Sequence, residues 1–227
     1  MIQHTSDEVL VKQTTNGCMD SFEQLVARYQ VPLVQFIAQR IGSFEDAEDL
    51  TQDTMVRAYQ HLHRYRADWR FSTWLFTIAR RLCINHQRHC RALCRDRSRE
   101  EPDALSQVVD PASEPGAVVA EQEYQQRLWA LAASVLSEAK FTALWLFYVE
   151  EMPVAEIAQV VGRSRVAVKT MMFRARKELS PYFEKALAEA ERPVQHEHLP
   201  DAQANMYDRL ADRLLVTRRL VTETAGV

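Results

Sequence analysis

The sequence predicts an all-α protein, and three observations carry that expectation. Only five glycines and eight prolines occur in 227 residues. Long runs rich in Ala, Leu, Glu, Gln and Arg favour helix. Apolar residues recur at steps of three and four, the spacing of one helix face, and seldom alternate as a strand requires. The 47% hydrophobic and 26% charged content is ordinary for a globular chain, long enough for one large or two small domains. No apolar run approaches the roughly 18 residues of a membrane span, so no membrane insertion is expected. The opening "MIQHTSDEVLVKQTTNG" lacks a basic stretch followed by an apolar one, so no leader is expected. Four cysteines (Cys18, Cys83, Cys90, Cys94) without disulfide-type spacing fit a reducing cytoplasm.

The first helix is read from Ser6 as cap, with Asp7 and Glu8 in its first turn. "MDSFEQLVARYQVPLVQFIAQRIG" places Phe22, Leu25, Val26, Tyr29, Leu33, Phe36, Ile37 and Ile41 on one face and ends at Gly42; Pro32 should bend it. "SFEDAEDLTQDTMVRAYQHLHRY" starts with a capping box from Ser43 to Asp46. Leu50, Met55, Ala58, Tyr59 and Leu62 form its expected buried face, opposite Asp49, Gln52, Asp53 and Arg57. "RADWR" reads as a loop. The helix beginning "FSTWLF" follows, with Leu75, Ile78, Ala79 and Leu82 inward.

Between residues 98 and 120 periodicity fails among three prolines, a glycine and several acids, which predicts a flexible linker after a first domain of residues 1–97. Helices resume at Glu121 in a second domain, residues 121–185. Leu128, Leu131, Val135, Phe141, Leu144, Leu146 and Tyr148 are its core candidates. Pro153 is placed in the first turn of the helix that Gly162 closes, and Ser164 caps a last helix running to about Leu179.

Charge is distributed unevenly. The chain's net charge is −3, yet residues 57–97 hold 10 basic and 2 acidic side chains, and residues 161–185 hold 7 and 2. Residues 1–56 and 98–160 are strongly acidic by contrast. Two cationic islands in an acidic chain are the footprint of polyanion binding, whereas solvated helix faces usually mix signs.

The second island lies on a helix-turn-helix pattern. Ala158 is small where two helices must cross, Gly162 suits a turn of positive φ, and Val168 packs back. Val168, Met172, Ala175 and Leu179 share the inward face. Arg165, Lys169, Phe173 and Arg176 point outward, with Val166 and Thr170 beside them. Residues early in such a helix reach base edges in the major groove, so Arg165, Lys169 and Thr170 are placed nearest the bases. Arg174 and Arg176 fall where backbone or protein contacts are made.

In the first island aromatics interleave with arginines: Arg64, Tyr65, Arg66, Trp69, Arg70, Phe71, Trp74 and Phe76, then Arg80, Arg81, Arg88 and Arg91. Guanidiniums neutralise phosphates and aromatic faces stack unpaired bases at about 1–3 kcal/mol each, which suits single strands. Phe71 and Trp74, each taken alone, are better explained as core. The loop Arg64–Arg70 is not.

"DAEDLTQDTMVRAYQHLHRYR", "FSTWLFTIARRLCINHQR" and "PVAEIAQVVGRSRVAVKTMMFRARKEL", in that order, resemble bacterial RNA polymerase sigma factors of the extracytoplasmic-function (ECF) group, over about residues 6–97 and 121–183. The resemblance implies a sigma domain two, a linker and a sigma domain four. It implies core-polymerase binding by Asp46, Asp49, Gln52, Asp53 and Arg57. Melting and holding of the minus-ten promoter element would fall to Arg64, Arg66, Trp69, Arg70, Trp74, Arg80, Arg81, Asn85 and Arg88. The minus-thirty-five element would be read by Arg165, Val166, Lys169, Thr170, Phe173, Arg174 and Arg176. An anti-sigma factor or other regulator is an implied partner, and the cytoplasm the implied location.

Two features stand outside this likeness. Residues 186–227 form an extension in which Tyr207, Leu210, Leu214 and Val221 fall on heptad-like positions, either a helix packed on the protein itself or a regulatory element. Cys83, His86, Cys90 and Cys94 share one helical face, a set of soft ligands, but one straight helix rarely closes a tetrahedron and Cys83 is expected to pack inward. No metal or cofactor is therefore expected. No triad, phosphate loop or dinucleotide turn occurs, so no enzymatic activity is expected. The rival readings are a helix-turn-helix regulator that never joins polymerase and, from the Cys/His face alone, a metal- or thiol-dependent enzyme.

Overall fold

The computed structural model describes residues 5–97 and 117–190, with side chains over 5–93 and 126–182. Most of the expected linker, the extension beyond residue 190 with its heptad-like positions, and the side chain of Cys94 lie outside these residues. Among the described residues the regular structure is entirely helical. Helices α1 (Asp7–Thr15), α2 (Met19–Ile41), α3 (Phe44–Gln60) and α4 (Phe71–Arg97) form the amino-terminal half, with a 3-10 turn at Leu62–Arg64. Helices α5 (Ala117–Val135), α6 (Glu138–Tyr148), α7 (Val154–Val161) and α8 (Arg165–Ala190) form the other.

Local chemistry sets the helix ends. Gly42 closes α2 in the left-handed region and donates its N–H to the Ala38 carbonyl at 2.9 Å. Pro32, which has no N–H to give, lies inside α2 without ending it. The Ser43 hydroxyl accepts the Asp46 N–H at 3.2 Å and caps α3. The return half of that capping box is replaced, since the Asp46 carboxylate faces His86 at 3.7 Å. Ser6 makes no side-chain cap. Asp7 has been drawn away to Arg28 and Tyr29 of α2, which pins α1 to its neighbour.

Several sequence expectations shift by packing. Tyr59 is 46% exposed, only its ring resting on Phe22 at 5.0 Å between centroids. Thr51 and Thr54 are buried in its stead, each hydroxyl returned to a carbonyl one turn back. Leu128, Leu131, Val135 and Tyr148 are only partly buried, while Ala132, Leu136 and Trp145 take the centre. Pro153 is the residue before α7, not within it. Helix α5 begins at Ala117, inside the expected linker, and α8 continues past Leu179 and through Pro181.

The sequence left open how the two halves sit, and the structure joins them. They do not sit apart: α4 packs along α7 and α2 against α5, and one continuous apolar core runs through both. Phe36 of α2, itself edge-on to Phe76 of α4, meets Trp145 of α6 at 6.3 Å between centroids. The Arg40 guanidinium lies over the Phe141 ring at 5.2 Å. Removing each such aromatic from water is worth about 1.5–3 kcal/mol, so the contact is a substantial part of the fold.

Candidate nucleic-acid interface

Helices α7 and α8 make the helix-turn-helix. At the turn, Arg163 N–H bonds the Ala158 carbonyl at 3.0 Å and Gly162 N–H bonds Gln159 at 3.2 Å, with Gly162 at φ +69°. This double closure needs a left-handed residue, which Gly supplies without strain. Ser164 then caps α8 by accepting the Ala167 N–H at 3.2 Å. The four residues expected inward, Val168, Met172, Ala175 and Leu179, are all buried. Arg165, Val166, Lys169, Thr170, Phe173 and Arg174 are exposed, Val166 at 74%. An apolar side chain so bare at a helix start, between cations, is suited to contact rather than to folding. Arg176 differs: it is half-buried, donating Nε–H to the Tyr148 hydroxyl at 2.9 Å and lying over that ring.

The first island is divided by packing. Arg64, Arg66, Arg81, Asn85 and Arg88 are exposed around the Leu62–Arg70 loop and along α4. Trp69 is half-buried, its carbonyl accepting the Tyr65 hydroxyl at 2.8 Å. Trp74 is also half-buried, ringed by Tyr65 and Phe71 at 5.6 and 5.8 Å. Burial pushes the Tyr65 phenol up to about 12. Trp74 thus belongs partly to the core, as the structural reading of it allowed.

Arg80 is not open, and Arg70, though exposed, faces a carboxylate. Arg80 gives Nε–H and Nη2–H to the two oxygens of Glu138 on α6, at 2.8 and 2.7 Å, and Nη1–H to the Val160 carbonyl at 3.3 Å. Glu156 of α7 is 8% exposed; it accepts the Thr73 hydroxyl at 2.5 Å and faces Arg70 Nε at 3.4 Å. Neither carboxylate stands out in the sequence pattern. The available signal was their sign, two acids in a segment opposite a basic island.

On α3, Asp49, Gln52, Asp53 and Arg57 are exposed on one side, with Val56 open beside them and Asp46 half-buried. Cys83 packs inward, and burial raises its thiol to about 12. Cys90 Sγ lies 3.3 Å from His86 Nε2, but no group of three or more metal-ligand side chains converges among the described residues. None of the described helices is long and apolar enough to cross a membrane.

Residues 25–92 match the family model of sigma-70 region 2, and residues 127–179 that of sigma-70 region 4. This chain belongs to the ECF RNA polymerase sigma factors. The ECF sigma factor SigW of Bacillus subtilis is 27% identical over 183 residues, covering 74% of this chain and 92% of SigW. BldN of Streptomyces coelicolor is 29% identical over 167 residues, 73% of this chain, which spans only 61% of BldN. CnrH, solved in complex with the cytosolic domain of CnrY, superposes with a TM-score of 0.57 at 26% identity, over 82% of this chain and 99% of CnrH. Sigma factors direct promoter-specific transcription, and the region 2 match goes against a free-standing helix-turn-helix regulator, which has no need of that region.

Proposed function

We propose that this ECF sigma factor binds core RNA polymerase through the exposed side of α3, with Asp46, Asp49, Gln52, Asp53 and Arg57. Arg64, Arg66, Trp69, Arg70, Trp74, Arg80, Arg81, Asn85 and Arg88 melt and hold the minus-ten element. Arg165, Val166, Lys169 and Thr170 read the minus-thirty-five element, and Phe173, Arg174 and Arg176 flank them. In this reading residues 1–97 and 121–185 are the two working domains and 98–120 joins them. Residues 186–227 and an anti-sigma factor are means of control. The chain acts in the cytoplasm and supplies no catalytic residue, leaving nucleotide chemistry to polymerase.

The observation that carries this reading is the composition of the α8 start. Six successive outward positions are bare and cationic or contact-forming, while every inward position is buried apolar. Nothing in the fold requires that face to be basic. Run-off transcription with purified core on a genomic promoter library is the test. Promoter-specific transcripts should appear only with the chain added, and changing Asp49 and Asp53 to Lys should abolish both core capture and transcripts. Equal initiation with and without the chain would overturn the proposal.

A further inference from the structure

One exposed thiol has no part in the function proposed above, yet two side chains converge on it. Gln87 ties α4 to the end of α2, its Nε2–H reaching the Arg40 carbonyl at 2.8 Å. Past that bond residues 88–93 are all exposed, so the helix there has left the bundle. Cys90 stands on this open turn. His86, one turn back and half-buried, places Nε2 at 3.3 Å from Cys90 Sγ. Asp46 of α3 brings Oδ2 to 3.7 Å from the same nitrogen. Asp46 is itself fixed, since its N–H is held by the Ser43 hydroxyl. A carboxylate, an imidazole and a thiol from two helices thus meet at one point.

Each group suits thiol chemistry. A cysteine reacts as its thiolate, and at pH 7 an unassisted thiol is only about 3% in that form. An imidazole at hydrogen-bond distance accepts the proton, and a carboxylate beside the imidazole favours its charged state. Arg88 and Arg91, exposed on the same turns, add positive charge around the sulfur. The other two described thiols differ. Cys83 is buried and its thiol is pushed up to about 12. Cys18 is exposed, but its close neighbour is the Ser21 hydroxyl, which donates to Sγ at 3.3 Å and is no base. Packing does not account for Cys90, because an exposed side chain on an open turn buries nothing.

We infer that Cys90 is a thiol–disulfide exchange site for low-molecular-weight disulfides, with His86 as its proton acceptor and Asp46 as the group that steadies the charged imidazole. The Cys90 thiolate attacks one sulfur of the disulfide. A bond forms between Sγ and that sulfur, the original S–S bond breaks, and the departing thiolate takes the proton from the His86 imidazolium. Cys90 is oxidised as half of the incoming disulfide is reduced, so the step needs no other oxidant. The adduct then lies against Asp46, on the side of α3 proposed to bind core polymerase, and obstructs that contact. This consequence rests on the proposed role of α3; the exchange itself does not.

The test uses the full chain carrying Cys94→Ser, so that no second thiol on α4 resolves the adduct, and glutathione disulfide as the probe. Timed acid quenching and peptide mass mapping give the rate at each cysteine. Cys90 should be modified, and His86→Gln should slow it about fivefold or more while the Cys18 rate stays unchanged. Cys83 should stay unmodified throughout, which shows the bundle intact; His86→Asn replaces any His86→Gln chain that labels there. The modified chain should capture core polymerase about fivefold less well than after dithiothreitol, the scale of one lost interface residue. Cys90→Ser should capture core equally with and without the disulfide. No adduct at Cys90, an unchanged Cys90 rate without His86, or full capture by the modified chain each overturns the inference. A reduced parent chain that captures no core defeats the proposed function instead, and the exchange rates of the chain alone still judge Cys90.

Discussion

The two cationic islands look alike in composition and differ in electrostatic state. In the second, Arg163, Arg165, Lys169 and Arg174 stand bare, with no ion pair among the described residues, on a helix whose inward face is complete. In the first, Arg80 is engaged by Glu138, and Arg70 by Glu156, across the boundary between the halves. Local sequence sets the charge of a helix face, but tertiary packing decides whether that charge is available. A surface count of arginines would rank the first island higher as a DNA site, although part of it is already occupied.

The comparison can be broken most forcefully at Phe36. It is 1% exposed and links α2 to both Phe76 and Trp145, so Phe36→Ala should destabilise the chain by about 3–5 kcal/mol in denaturant unfolding. A loss confined to the amino-terminal half would show that the core is not shared. At the bare island, Arg165→Ala with Lys169→Ala should leave melting unchanged but lower promoter-specific transcription about 10- to 100-fold, the scale of one or two lost base contacts. A melting shift instead would make those cations structural.

Adjacent arginines sharpen the contrast within one helix. Arg80→Ala should cost about 1–2 kcal/mol in thermal unfolding, a buried-pair loss discounted for partial exposure. Arg81→Ala, exposed next door, should cost almost nothing yet reduce the salt slope of DNA binding by about 0.7, one single-strand phosphate. At the α6 end, Glu151 has φ +48° and Met152 N–H reaches back to Leu146 at 2.8 Å, a position that favours Gly. Glu151→Gly should stabilise by about 0.5–1 kcal/mol in chemical unfolding. The finest distinction is chemical. Iodoacetamide at pH 8 should label exposed Cys18 and Cys90 but spare Cys83, whose thiol is pushed up to about 12.

What was legible in the sequence was whatever is local. The all-α class followed from periodicity, the α2 end from Gly42, the α7 turn from Gly162, and the buried stripe of α8 from steps of four and three. Residues whose setting depends on the other half were not legible. Leu144 was legible as core, but Trp145 was not, and it is buried where Phe36 from residues far upstream meets it. Tyr59 fell on the apolar stripe of α3 but found only Phe22, whereas Thr51 and Thr54 were small enough to be buried with their hydroxyls satisfied inside the helix. Within the candidate site, exposure at Arg165, Lys169 and Thr170 followed from helix phase alone. The engagement of Arg80 did not, since Glu138 lies 58 residues away across a stretch with no periodicity.

Glu156 and the exposed basic face of α8 belong to one helix-turn-helix, joined through the doubly closed turn at Gly162. Exchanging α5–α8 between relatives to transplant promoter preference would therefore also transplant, or delete, the carboxylates that meet α4. A chimera built for new specificity would inherit a new contact between its halves with it, and its stability would shift along with its promoter choice.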